Sequence, residues 1–119
     1  MIVTITKVYT KAYDEGVEFD NGWCLQSYHD SDCCEYHWLD FDTAEEELLG
    51  KQLDLSSDFF ERVPDYGIRL KVIDNYPVSV AGYGSNNGYY SSHMDLVVLD
   101  KDGTVLQLHD VSDCQEISN

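Results

Sequence analysis

Two imidazoles, two thiols and three carboxylates fall within one nine-residue stretch, His29-Asp30-Ser31-Asp32-Cys33-Cys34-Glu35-Tyr36-His37. On an extended backbone alternate residues share a face. Cys33, Glu35 and His37 then project together, and Cys34, Tyr36 and Trp38 project to the other side. A thiolate, a carboxylate and an imidazole on one face make three ligands for a divalent metal, and a zinc ion suits that donor set. His29 or Asp32 could supply a fourth across a turn. The candidate metal ligands are therefore His29, Asp32, Cys33, Cys34, Glu35 and His37. Their spacing follows no standard zinc pattern, since the chain has neither a Cys-x-x-Cys nor a His-x-x-x-His pair. The plainer reading makes Cys34 and Trp38 core residues, with Asp30 and Asp32 shaping a turn.

The same stretch could be read as a cysteine nucleophile with His29 or His37 as its base. Asp30, Asp32 and Glu35 argue against it. Negative neighbours disfavour a thiolate, whereas they help to hold a cation. The reading leans away from an enzyme and assigns no catalytic residue. Asp100-Lys101-Asp102-Gly103 has the opening of a calcium loop but not its later ligands, and reads as a hairpin turn. His93 and His109 stand alone in strand-like sequence and read as structural. Tyr83, Tyr89 and Tyr90, around a Gly/Asn-rich turn, could form an aromatic contact surface.

The elements that must position these groups are mostly strands. Alternation predicts a strand from Ile2 through Tyr13, then strands at Val17 to Phe19 and Trp23 to Tyr28, with an Asp20-Asn21-Gly22 turn between the last two. Tyr36 to Phe41 follow, then Tyr66 to Ile73 with Ile68, Leu70 and Val72 on one side, then Pro77 to Tyr83. Residues 94–99 and 104–109 make the hairpin around Gly103. Thr43-Ala44-Glu45-Glu46 reads as a capping box opening a two-turn helix near 43–50, with Leu48 and Leu49 facing the core and Gly50 ending it. Residues 58–61 read as a further helical turn, and the tail from about 112 as loosely held. The expected fold is mainly β, at the margin of α+β: one domain over 1–119, seven to nine strands in a mostly antiparallel barrel or sandwich, with one short helix.

Twenty-three acidic residues against seven basic ones give a net charge of −16. That field opposes direct binding to nucleic-acid phosphates or anionic membranes and favours a basic protein partner or a metal ion. The first residues lack the apolar stretch of a secretory signal, and no apolar run reaches the roughly 20 residues that span a bilayer. A cytoplasmic location and four reduced thiols, Cys24, Cys33, Cys34 and Cys114, are the expectation.

The His29-Asp30-Ser31-Asp32-Cys33-Cys34-Glu35 stretch, taken with Ser85-Asn86-Asn87-Gly88-Tyr89-Tyr90-Ser91, resembles a family of small uncharacterised proteins of bacteriophages and bacteria, a domain of unknown function. Its members pair an Asp-Cys-Cys-Glu core with a Ser-Asn-Gly-Tyr-Tyr-Ser-like stretch. Ser31 stands where a longer polar residue is expected, and the second stretch carries an extra asparagine. The resemblance implies a phage or mobile-element setting and brings no catalytic residue or cofactor. The expected function is a small acidic non-enzymatic binding module acting through protein contacts, in its sharpest form a charge mimic of nucleic acid aimed at a basic host protein. The alternative is a metal-binding protein with its site around His29–His37.

Overall fold

The computed structural model describes residues 1–9, 15–29, 36–85 and 93–118. Along the chain run β1 (Ile2–Tyr9), β2 (Gly16–Phe19), β3 (Cys24–Tyr28), β4 (Tyr36–Asp40), a 3₁₀ turn (Asp42–Ala44), α1 (Glu45–Leu48), β5 (Gln52–Asp54), β6 (Phe60–Val63), β7 (Gly67–Leu70), β8 (Val78–Ser85), β9 (Asp95–Leu99), β10 (Val105–Asp110) and β11 (Glu116–Ser118). They form two sheets that curl into a half-barrel or sandwich. One is six-stranded, in the order β10-β9-β3-β2-β1-β5. The other runs β11-β8-β7-β6, with β4 also paired to β8. Among the described residues every pairing is antiparallel except β11 with β8. The mainly β expectation stands, with more strands than the sequence separated.

Alternation explains which faces meet. Ile5, Phe19, Leu25 and Leu96 of the first sheet and Leu39 and Ile68 of the second are buried in one apolar cluster. A side chain of this size gains about 1.5–3 kcal/mol on leaving water. On β4, His37 and Leu39 are buried, while Tyr36 is exposed and Trp38 and Asp40 are part-exposed. Trp38 is therefore not a core residue; it lies on the outward side with Tyr83.

The helix is shorter than the capping-box pattern predicts. Thr43 is not its cap: its hydroxyl donates back to the Asp40 carbonyl (3.2 Å), and its N–H meets Asp40 Oδ1 (3.4 Å). Only Leu48 of the leucine pair is buried; Leu49 has turned extended and is 42% exposed. The chain leaves α1 to join β1, with Gly50 N–H on the Ile5 carbonyl and Ile5 N–H on the Lys51 carbonyl. Gly50 has φ +81°, the left-handed conformation that glycine adopts without a Cβ penalty. Residues 60–63 are strand β6 and not a helical turn, because pairing with β7 satisfies their backbone.

The stretch read as a loose tail differs too. Cys114 and Gln115 are buried, and Glu116, Ile117 and Ser118 pair with Tyr83, Gly84 and Ser85. Among the described residues no helix is long and apolar enough to cross a membrane.

Candidate metal centre

His29 follows β3, and His37 is the second residue of β4. The two strands belong to different sheets and are joined by the buried Ser27 hydroxyl, which accepts the Leu39 N–H at 3.1 Å. This seam sets the imidazoles against each other: their ring centroids are 4.5 Å apart, with planes at 67°. Asp32, Cys33, Cys34 and Glu35, the other sequence candidates, lie outside the described residues, as do Tyr89 and Tyr90. The structure thus brings together the first and last members of the predicted set.

Each ring has its Nδ1 fixed by an oxygen. His29 Nδ1 donates to the His93 carbonyl at 2.5 Å. His37 Nδ1 meets Gln115 Oε1 at 2.6 Å. The Gln115 amide is oriented by its own Nε2, which donates to the Ser112 carbonyl at 2.8 Å. Its Oε1 is then an acceptor, so His37 Nδ1 carries the proton. In the neutral rings both lone pairs therefore sit on Nε2, and both Nε2 atoms are buried. An N–H given to a carbonyl oxygen is the arrangement that holds metal-binding histidines in one tautomer. Two imidazoles on one ion, at metal–nitrogen distances of about 2.0–2.1 Å, have centroids about 4.5–5.2 Å apart. The same spacing is also that of an edge-to-face ring contact.

Gly84 makes room for this pair. It lies opposite His37 in the β4–β8 register, and a Cβ there would collide with Gln115 Oε1 and His37 Nδ1.

A second group lies across β9 and β10, where Asp95 stands opposite Asp110. His93 Nε2 bonds Asp95 Oδ2 at 2.9 Å, and His93 Nδ1 is 3.7 Å from Asp110 Oδ2. Ser112 holds the other Asp110 oxygen, through its hydroxyl (2.5 Å) and its N–H (2.9 Å). These bonds, the hydroxyl first, hold the Asp110 carboxyl below the usual carboxylate range. Ser112, His93 and Asp95 have the composition of a hydrolase triad, with Ser112 Oγ 3.3 Å from His93 Nδ1. The Ser112 hydroxyl, however, accepts the Met94 N–H (3.0 Å) and donates to a carboxylate, so it is held as a turn-building group. Reading His93 as an isolated structural residue missed this cluster, since only strand register brings Asp95 to Asp110.

Comparison with protein-family models, curated proteins and solved structures returns no match. The site therefore has to be judged on its own chemistry. Cys24 and Cys114 are free thiols. Burial raises the Cys24 pKa, and burial, reinforced by Asp113, pushes Cys114 up to about 11. Neither is set up as a nucleophile. Glu15, whose carbonyl accepts the Ser27 N–H, has its carboxyl pushed up to about 7 by burial and then by Asp40 and Asp42.

Proposed function

We propose that this protein is a non-enzymatic binding module that holds a borderline divalent cation, zinc by preference, where β3 and β4 meet. His29 Nε2 and His37 Nε2 are the nitrogen ligands. The segment between them, with Asp32, Cys33, Cys34 and Glu35, supplies the rest. One observation carries the reading: a buried imidazole, His37, in contact with the half-buried His29, each with its Nδ1 proton given to an oxygen and its lone pair on a buried Nε2. The thiols of Cys33 and Cys34 in that sequence favour zinc over calcium or magnesium, and its acids favour a cation over a nucleophilic thiolate.

Elemental analysis of protein purified without chelator tests it. Near-stoichiometric zinc is expected in the wild type, with loss in His37→Ala and in Cys33→Ser. Metal-free protein whose thermal midpoint ignores both zinc and EDTA would refute it. Cobalt substitution adds a second readout, since its visible absorption distinguishes thiolate from all-nitrogen coordination.

A protein-contact role has its own support on the outward side of the same strand. Trp38 and Tyr83 meet at a tilt of 40° with centroids 5.6 Å apart, and with Glu116 they line a cleft of about 320 Å³. Aromatic rings beside a carboxylate, on a chain of net charge −16, suit an arginine or lysine from a basic partner. The resemblance to phage and bacterial proteins favours a host protein as that partner. Such binding should weaken steeply between 50 and 500 mM salt (roughly, by Debye screening). Capture that is indifferent to salt and to Trp38→Ala argues against this face.

A further inference from the structure

We infer that His93, Asp95 and Asp110 form a second divalent-cation site, of mixed imidazole–carboxylate type, separate from the His29–His37 centre. One ligand atom from each lies within 4.8 Å of the others, a span that a single ion can bridge.

Strand register creates an electrostatic problem here. Asp95 and Asp110 are directly opposite on β9 and β10, and like charges in that position repel. Asp95 is only 6% exposed, so its charge is poorly solvated. One of its oxygens is met by His93; the other, Oδ1, is buried and has no hydrogen-bond partner. A buried carboxylate with one oxygen left without a donor is costly, and a cation bound to the same carboxylate offsets that cost.

The surroundings orient the ligands. Ser112 takes Asp110 Oδ1 with two hydrogen bonds, which leaves Oδ2 on the side of His93. This is the outer-shell support that positions metal-binding carboxylates. His93 Nε2 and Asp95 Oδ2, 2.9 Å apart, are close to the separation of about 3 Å between adjacent ligands on one ion. Two carboxylates and one imidazole make a harder donor set than the histidine–thiolate set of the first centre, and Mn²⁺ is the matching probe. Asp110 is 63% exposed on its side chain, so the ion can enter from solvent and keep water ligands. Coordination uses an imidazole lone pair, so the proton that His93 shares with Asp95 leaves to solvent as the ion binds.

The test is a Mn²⁺ titration of the chelator-stripped full chain, followed by paramagnetic broadening of NMR signals and by calorimetry. Broadening should begin at His93, Asp95 and Asp110. Asp110→Asn, which keeps Oδ1 as the acceptor for Ser112 at an exposed position, should weaken Mn²⁺ binding by about tenfold or more. Cys33→Ser, which touches none of the residues 112–115 that link the two groups, should leave Mn²⁺ binding unchanged while abolishing zinc retention, which keeps failure of this site distinct from failure of the first. Mn²⁺ binding that is equal in wild type and Asp110→Asn overturns the inference. So does broadening spread over the acidic surface as a diffuse counter-ion cloud, or no broadening at all.

Discussion

Gly84 is the residue on which the geometry of His37 depends most directly, because its missing side chain is the space that the His37–Gln115 hydrogen bond occupies. Gly84→Ala must displace one of the two and should cost about 1–3 kcal/mol, by the usual measure of overpacking. Chemical denaturation reads the loss, and zinc retention should fall with it. Gln115→Leu is a finer probe. It leaves the His37 Nδ1 proton without its acceptor, and loss of such an outer-shell partner lowers metal affinity about 10- to 100-fold. An unchanged zinc affinity in Gln115→Leu, measured by chelator competition, would mean that His37 is not a ligand. Glu15 gives a pH signature. Its carboxyl titrates near 7 in the folded chain against 4.5 in its unperturbed state, so the folded form binds its proton more tightly. The resulting stability is complete below pH 4.5 and is lost as pH rises through about 7. Glu15→Gln should flatten that decline in a pH series of denaturation midpoints.

Elements were legible where alternation was long and illegible where pairing decided the outcome. Ile68 and Leu70 announce β7 because alternate apolar residues there have one explanation, and Val72, which continues the pattern, is buried just past the strand's end. Gln52-Leu53-Asp54 has a single apolar residue, and becomes β5 only because β1 offers an edge. Residues 112–118 look polar and loose in sequence, yet Gln115 is buried between Ser112 and His37, a role no local pattern signals. The helix was over-read because Thr43-x-x-Glu46 fits a capping box while the Thr43 hydroxyl turns back to Asp40. Leu48 and Leu49 test this directly. Leu48→Ala should cost about 2–5 kcal/mol, as for a filled core position, and Leu49→Ala within about 0.5. Equal costs in urea denaturation would restore the longer helix. The site divides in the same way. The meeting of His29 with His37 could be foreseen because they bracket one short stretch. Asp95 and Asp110 were not, since fifteen positions and a hairpin register separate them.

For the whole molecule, charge is the dominant property. A net charge of −16 on 119 residues works against the compact state through self-repulsion. Added NaCl should therefore raise the thermal midpoint of the apo protein, and metal binding should raise it further at low salt than at high. A midpoint that is flat with salt would show that the acids are already balanced locally. The two histidine groups are also mechanically joined. The His93 carbonyl holds His29, and residues 112–115 reach both His93 and His37. Ser27 and the facing imidazoles pin the ends of β3 and β4 to each other. Doubling the length of a connection between such ends costs only about 0.6 kcal/mol in closure entropy. The chain between these two anchors can thus change in length or composition at little cost while the β framework stays as it is.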